Sequence, residues 1–174
     1  MFKRMSQVVP LLLVAVLFAV SAMPALAMRP DKTTIVDVAL DVNAQTGEFS
    51  ILIQALLAAD PAIIRSLDGN RQFTVFAPTD QAFVELLDEL NLTPEELLGN
   101  QELVSQVLLY HVLNGRRDAA DILDSQRLRT RQGGVLFQDG GMLTDANGRT
   151  ATIVATDIMA DNGIIHVIDK VVLP

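Results

Sequence analysis

The sequence predicts an α+β domain behind an N-terminal export signal, and three features of the chain support this prediction. Apolar residues recur at helical spacing over much of residues 34–113. After about residue 127 the pattern becomes the alternation typical of strands, with glycines every few residues. Within the helical part, residues 73–83 combine a short strand, a proline and the start of a helix. We therefore expect helices and a sheet to pack together around this corner.

The first 27 residues have the pattern of a secretory signal peptide. A basic start is followed by an unbroken apolar run from Leu11 to Val20 and by the small-residue cleavage site Ala25-Leu26-Ala27. The alternative is a retained membrane anchor, but the run is shorter than the about 20 residues that a spanning helix needs. We expect cleavage after Ala27, with residues 28–174 forming one secreted or periplasmic domain that does not span a membrane.

The composition argues against several classes of protein. The chain has no cysteine, so neither disulfides nor a lipid-modified cysteine is available. Its formal net charge is −8 at pH 7, which repels phosphate backbones, and we expect no nucleic-acid partner. With no tryptophan and one tyrosine, the chain is poorly supplied for a carbohydrate site built on stacked aromatic rings.

The first two-thirds of the chain is expected to be mainly helical. Most of these helices begin at a residue whose side chain can accept a hydrogen bond from a free backbone N–H of the first turn. In chain order the expected helices are 35–40, capped by Thr34; 49–57; and 61–67, capped by Asp60. A helix after the corner, a helix that starts with the capping box Thr93–Glu96, and 101–113, capped by Asn100, follow. A loop is expected at 43–47, and Gly115 suits the left-handed position that closes a helix.

The corner at 73–83 is expected to fix how the sheet and the helices meet. Phe73, Val75 and Ala77 share one face of the strand. Proline then stops the strand because it has no N–H for a ladder, and the next polar residues can start a helix. The residues to which we assign this structural role are Thr74, Phe76, Pro78, Thr79, Asp80 and Phe83.

The last third is expected to form the rest of the sheet. Strands are predicted near 127–132, 134–138, 150–159 and 163–172. Asp161-Asn162-Gly163 is the strongest turn signal, because Asn-Gly tolerates positive φ at both central positions of a two-residue hairpin.

Three segments resemble, in order and spacing, the signature blocks of the fasciclin domain family. They are Phe73–Phe83, Leu109–Gly115 with its tyrosine–histidine pair, and Asn162–Pro174. The resemblance covers about residues 33–174 and implies a wedge-shaped β-sandwich with several helices packed on one edge. It also implies structural roles in the closing block for Asn162, Gly163, His166 and Asp169.

The same resemblance implies a function. Fasciclin relatives are adhesion and interaction modules, so we expect a non-catalytic domain that attaches to a cell-surface protein or to an extracellular or envelope polysaccharide. In some animal members an Asp-Ile pair and the tyrosine–histidine segment are associated with integrin binding. The matching residues here are Asp157-Ile158 and Tyr110-His111. Replacing Asp157 with alanine is expected to weaken binding without affecting stability.

Arg127, Arg129 and Arg131 form a local basic stripe. They alternate with Leu128 and Thr130, so on a strand the three guanidinium groups would line one face. Such a face could hold a sulfated or carboxylated polymer. The alternative is a solvated edge strand whose arginines pair with nearby acids and discourage edge-to-edge aggregation.

Other chemistry is weakly supported by the sequence. His111 and His166 would have to converge with a carboxylate such as Asp169 to bind a metal, and we expect hydrogen-bonded neutral rings instead, with no metal or cofactor. A hydrolase is a minor alternative, because the chain has no Gly-x-Ser-x-Gly motif and no cysteine nucleophile. A small-ligand or lipid-binding domain, with an apolar cleft between helices and sheet, is the main alternative to adhesion.

Overall fold

Residues 32–174 are the part of the chain described by the computed structural model, and they contain seven helices and seven strands. The helices are α1 (Ile35–Thr46), α2 (Ser50–Ala58), α3 (Pro61–Leu67), α4 (Asp80–Leu90), α5 (Pro94–Leu98), α6 (Gln101–Tyr110) and α7 (Ala119–Leu123). The strands are β1 (Phe73–Pro78), β2 (Val112–Asn114), β3 (Arg127–Arg129), β4 (Val135–Asp139), β5 (Met142–Thr144), β6 (Thr150–Ala160) and β7 (Gly163–Ile168). The expected signal peptide, residues 1–27, lies outside the described residues.

The predicted capping residues begin their helices, whereas two helix ends differ from the prediction. Side chains of Thr34, Asp60, Thr93 and Asn100 each accept a hydrogen bond from a first-turn N–H. The loop predicted at 43–47 was wrong, because α1 continues through most of it and ends at Gly47, where φ is 73°. The helix predicted to reach residue 113 ends at Tyr110, and the residues after His111 form β2.

The corner between β1 and α4 is confirmed. Pro78 is the last residue of β1, and the Thr79 hydroxyl accepts a hydrogen bond from the Ala82 N–H at 3.3 Å to begin α4. Phe83 lies buried on the inner face of α4. The strand faces are as predicted, since Phe73 and Ala77 pack in one core and Phe76 in another.

Asp80 caps a different helix from the one it begins. Its two carboxylate oxygens accept hydrogen bonds from the backbone N–H groups of Ser50 at 3.1 Å and Ile51 at 2.8 Å. These are the first residues of α2, whose N-cap residue, Phe49, has no polar side chain and makes no such bond. The corner motif therefore fixes α2 as well as α4.

The seven strands form one sheet in the order β2-β1-β7-β6-β5-β4-β3. β1 runs parallel to β7, and all the other neighbouring strands are antiparallel. The 11-residue strand β6 pairs with β5 at its start and with β7 along the rest. A single bridge between Leu113 and Thr130 links the two ends of the sheet. The sheet thus folds over into a β-sandwich, and with its helices the molecule has the expected α+β fold.

Two apolar cores occupy the two sides of the strands β1 and β7. One core holds the inner faces of the helices against Phe73, Ala77, Val112 and Ile165. The other lies inside the sandwich, and its members include Phe76, Tyr110, Leu113, Leu128, Leu136, Leu143, Ile168 and Val172. The strand-corner-helix motif contributes to both cores, so it sets the position of one layer relative to the other.

The closing hairpin is present, but the prediction of its turn was wrong. Ala160 pairs with Gly163, so the two central residues are Asp161 and Asn162, and none of these residues has a positive φ. A Cβ at Gly163 would lie 2.1 Å from the carbonyl oxygen of Phe73. Gly163 is therefore required by the close approach of β7 to β1, and not by the backbone conformation of a turn.

Asn162 is fully buried and joins three segments. Its Oδ1 accepts a hydrogen bond from the Ile35 N–H at 2.7 Å, and its Nδ2 donates to the carbonyls of Leu67 and Gly69. The asparagine thereby holds the start of α1 and the end of α3 against the closing hairpin. Asp169, just after β7, accepts a hydrogen bond from the Thr152 N–H at 2.6 Å and so extends the pairing with β6.

The last third also contains elements that were not predicted. β3 stops at Arg129, β7 stops at Ile168, and the short elements β5 and α7 have no counterpart in the prediction. Gly115 has the expected positive φ, 89°, but it follows β2 and closes no helix. Of these elements, β3, β5 and α7 have three to five residues each, too few for their periodicity to be read.

Candidate functional site

Asp157 lies in an irregular part of β6, between the paired residues Ala155 and Ile158, where the register with β7 shifts. Its φ is 60°, a conformation that Asp and Asn tolerate better than other residues with a side chain. The Asp157 carboxylate accepts a hydrogen bond from the Ala119 N–H at 2.9 Å, at the first residue of α7. Its own N–H points to Nδ1 of His166 at 3.3 Å.

Thr74 and His166 fix the loop that leads into α7. The Thr74 hydroxyl accepts a hydrogen bond from the Arg117 N–H and donates to the Gly115 carbonyl, both at 2.9 Å. The buried His166 ring accepts from Asp157 at Nδ1, so its proton lies on Nε2, which donates to the Arg117 carbonyl at 3.0 Å. Two signature residues thus hold the segment next to Asp157 in place.

This geometry changes the expectation for the Asp-Ile pair. Asp157 is half-buried, has a positive φ and caps α7, so alanine at this position is expected to reduce stability. Ile158 pairs with Ile165 and packs against the core between the helices and the sheet (the helix-side core), which leaves it half-buried as well. Both neighbours of the pair, Thr156 and Met159, are exposed, Met159 by 52%.

Tyr110 and His111 are both buried, at 1% and 3% exposure. The Tyr110 hydroxyl donates to the Val135 carbonyl at 3.0 Å, and burial raises the pKa of this phenol. Nε2 of His111 accepts from the Val172 N–H at 3.3 Å, so Nδ1 carries the proton and donates to the Val107 carbonyl at 2.7 Å. Both residues join α6 to later segments of the chain, and neither presents surface to a partner.

Burial also lowers the pKa of His111 to about 4, because a charged ring in this buried position would lack the hydration that it has in water. The hydrogen bond to Val107 and the charge of Asp145 act in the opposite direction but are weaker. The ring is therefore neutral at physiological pH. The binding role that the resemblance implies for Tyr110 and His111 stays a prediction, and it would require this junction to open.

Asp145 is a buried residue whose importance the sequence did not reveal. Its carboxylate accepts hydrogen bonds from the N–H groups of Asn147 at 2.8 Å, Arg149 at 2.9 Å and Leu173 at 2.8 Å. It thereby fixes the turn between β5 and β6 to the last residues of the chain. An Asp at the start of a turn that ends in Gly148 is the pattern that could have indicated this side-chain role.

Arg127 and Arg129 lie on the outward face of the β3–β5 part of the sheet. Arg127 pairs across the strands with Phe137, and its guanidinium carbon lies 5.5 Å from the centre of that ring. Leu128, between the two arginines, is fully buried. We call this surface the arginine face; it consists of the outward-pointing residues Arg127, Arg129, Phe137, Asp139 and Met142.

Arg131 does not belong to the arginine face, so the predicted three-arginine stripe was wrong. β3 has ended before this residue, and its N–H donates to the Val112 carbonyl at 2.7 Å. The guanidinium carbon lies 4.8 Å from the centre of the Phe73 ring, and its Nη1 is buried without a hydrogen-bond partner. Arg131 therefore covers an edge of the helix-side core.

Comparison with known proteins identifies the family. The fasciclin domain model matches residues 47–174. The chain belongs to the fasciclin domain family. It is 35% identical over 159 residues to protein sll1483 of Synechocystis sp., a match that covers 88% of this chain and 81% of that protein. Human periostin is 31% identical over 114 residues, which cover 64% of this chain and 13% of periostin.

A solved structure supports the fold of this fasciclin domain. The chain is similar to a fasciclin domain pair from the insect cell adhesion molecule Fasciclin I, with a TM-score of 0.57 and 17% sequence identity. The match covers 74% of this chain and 46% of the other, so the chain spans about half of the domain pair. At this identity the likeness shows a shared fold.

Two further features of the described residues concern metal ions and membranes. Within residues 32–174, no three histidine, aspartate or glutamate side chains are placed to hold a metal ion. His111 and His166 make separate sets of hydrogen bonds, and Asp169 is bonded to Thr152. No single helix in this range is long and apolar enough to cross a bilayer; α2 and α3 together reach that length, but a bend of 118° separates them.

Proposed function

We propose that this fasciclin domain attaches to a cell surface, or to a matrix or envelope polymer, by surface recognition and without chemical turnover. Membership of the family supports the proposal, together with the similarity of the fold to that of an insect cell adhesion molecule. We place the contact on the arginine face. The observation that carries this choice is the exposure, on a firmly packed strand surface, of arginines and large apolar side chains side by side.

The composition of the arginine face resembles that of a recognition surface. Phe137 and Met142 are each 47% exposed, although both are large apolar residues. Arginine, aromatic residues and methionine are enriched at protein interfaces. Within residues 32–174 neither Arg127 nor Arg129 forms an ion pair with an acidic side chain. Their guanidinium groups remain available to a ligand.

The two arginines outnumber the one acidic residue of the face, Asp139, so its net charge favours an acidic polymer as the partner. A guanidinium group binds carboxylate or sulfate through two parallel hydrogen bonds, which gives both strength and orientation. The chain as a whole carries a net charge of −8, which opposes contact with a polyanion elsewhere on its surface. Binding should therefore be confined to the arginine face. The exposed Phe137 ring adds apolar contact with a sugar ring or an aliphatic segment.

The test is a saturation binding isotherm of the labelled full chain on intact cells and on isolated envelope or matrix material. An Arg127→Ala/Arg129→Ala variant is expected to raise the Kd at least about tenfold, because each charge-assisted hydrogen bond is worth roughly 1.5–3 kcal/mol. The matched control is Arg65→Ala/Arg71→Ala, which removes the same charge from exposed positions on the helix side. Equal affinity of the two double variants would remove the arginine face from the proposal.

A second arm tests whether Asp157 contacts the partner. Asn at this position keeps an oxygen that can cap α7, and it tolerates the positive φ, so Asp157→Asn removes the charge with little change in structure. If Asp157 takes part in recognition, this variant binds more weakly while its thermal midpoint stays within about 2 °C of the parent. Unchanged binding would leave Asp157 with its structural role alone.

A further inference from the structure

An apolar cavity of about 160 Å³ lies between the helices and the sheet. Its walls come from α1, α2 and α3 on one side and from β1, β2 and β7 on the other, and Leu108 of α6 and His111 also line it. The space is separate from the arginine face, which is on the outward surface of the opposite part of the sheet. Well-packed protein interiors contain few voids larger than a water molecule, so a cavity of this size calls for an explanation.

The walls of the cavity expose only apolar atoms. His111 is the one ionisable residue among them, and both of its ring nitrogens are already hydrogen-bonded, to Val107 and Val172. Burial keeps this ring neutral by lowering its pKa to about 4. A water molecule would find no partner here, since an ordered buried water needs two to four polar contacts. The cavity therefore suits neither water nor a charged ligand.

α2 is far more apolar than its burial in the protein explains. Apart from Ser50 and Gln54 all its residues are apolar; Ala55 is buried, Leu57 is exposed, and the other five are only half-buried. A helix that is apolar on every side is normally enclosed on every side. Leu57 on α2 is 72% exposed and Leu40 on α1 is 46% exposed, and both border the cavity. Together they form an apolar rim that connects the cavity to solvent.

The volume sets the size of the group that the cavity could hold. Cavities of about 150 Å³ lined by Leu, Ile and Phe stay dry and bind benzene or xenon. We propose that the cavity between α1, α2 and the sheet is a binding site for an uncharged hydrocarbon group of about six carbon atoms. The group is either a free apolar molecule or the end of a longer aliphatic chain whose remainder leaves past Leu40 and Leu57.

The direct test uses straight-chain 1-alkanols from butanol to decanol as probes. The full chain, labelled at the methyl groups of Ile, Leu and Val, is titrated and followed by NMR. Shifts should saturate at methyls that line the cavity, such as those of Val36, Ile53 and Leu56. The affinity should rise about fourfold per added methylene until the cavity is filled and then level off. Absence of saturable shifts at these methyls for every alkanol would overturn the proposal.

Filling the cavity provides a test by mutation. Ala39 on α1 borders the cavity, whereas Ala44 on the same helix is exposed and does not. Ala39→Phe should weaken binding of the best alkanol at least about tenfold, whereas Ala44→Phe should leave it unchanged. The smaller change Ala39→Leu gives the same comparison if the phenylalanine variant does not fold. Equal alkanol affinity of Ala39→Leu and the parent would contradict the site.

Phosphatidylcholine vesicles distinguish the two sources of the hydrocarbon. If the natural ligand is a lipid chain, the full-length protein binds vesicles and soluble alkanol competes with that binding. Ala39→Phe then weakens the binding of both vesicles and alkanol. If the ligand is a free apolar molecule, alkanol binds, and any vesicle binding, for example through the apolar run Leu11–Val20, is affected neither by alkanol nor by Ala39→Phe. Both results support the hydrocarbon site and identify its source. Vesicle binding that neither alkanol nor Ala39→Phe affects, together with no alkanol binding, would contradict it.

Discussion

At the scale of single residues, buried polar side chains tie together segments that are far apart in the sequence. Asn162 holds α1 and α3, Thr74 holds the loop before α7, and Asp145 holds the last residues of the chain. Buried polar groups without partners are costly, so each of these residues specifies one arrangement of the segments that it joins. Thr74 and Asn162 belong to the family's signature blocks, whereas Asp145 lies outside them.

Gly163 provides the sharpest test at this scale. Gly163→Ala should destabilise the protein by about 3 kcal/mol or more, because the added methyl group would overlap the Phe73 carbonyl and the Ile35 side chain. The control is Gly148→Ala, where φ is 79° but no atom lies within 4 Å. That change should cost about 1 kcal/mol, from backbone strain alone. Urea unfolding of both variants measures the difference, and equal losses would mean that the neighbouring atoms move aside and that close approach does not require glycine in β7.

His111 gives the folded protein a pH dependence. The unfolded chain has an ordinary histidine pKa of 6.5, whereas burial lowers the pKa in the folded state to about 4. Between these values the unfolded state binds a proton that the folded state does not, so stability is lost as the pH falls from 6.5 toward 4. The full effect is on the order of 3 kcal/mol.

Comparison with His111→Gln isolates this contribution from that of the carboxylates, which titrate in both proteins. Denaturant unfolding at several pH values should show that the parent loses more stability than the variant over this range. Parallel curves for parent and variant would mean that the histidine is hydrated or already charged in the folded protein.

At the scale of elements, capping and turn chemistry predicted the helix starts well and the short elements poorly. Thr34, Asp60, Thr93 and Asn100 begin helices as predicted, because each supplies a side-chain acceptor to its own first turn. β2, β3 and β5 have three residues each, too few for an alternating pattern to be recognised. Their pairing is determined by tertiary contacts, which local sequence does not encode.

Asp80 also acts through a tertiary contact, between α4 and α2, and removing its side chain should reduce stability. Asp80→Ala should cost about 1–2 kcal/mol, because the N–H groups of Ser50 and Ile51 at the start of α2 lose their acceptors. Asp88→Ala, at an exposed position of the same helix, is the control and should change stability by less than about 0.5 kcal/mol.

Hydrogen exchange should locate the effect of the Asp80 change. Protection is expected to fall in α2 more than in α4, although the substituted residue belongs to α4. A loss of protection confined to α4 would mean that Asp80 acts through its own helix.

At the scale of the whole molecule, the residue patterns and the three signature blocks predicted the α+β fold but left the order of the strands open. The parallel pairing of β1 with β7 joins residues about ninety positions apart, and no local pattern indicates it. Of the predicted site residues, some are exposed and others are not. Arg127 and Arg129 lie on an open face, whereas Arg131, Tyr110 and His111 turn inward, because burial depends on how the two halves of the sheet meet.

The salt dependence of binding tests the proposed function most directly. Saturation isotherms of the full chain on envelope or matrix material, measured from about 50 to 500 mM NaCl, report how much of the affinity is electrostatic. We predict that the Kd rises with salt and that the rise is clearly smaller for Arg127→Ala/Arg129→Ala than for Arg65→Ala/Arg71→Ala. Saturable binding with the same salt dependence in both double variants would contradict recognition of an acidic polymer by the arginine face.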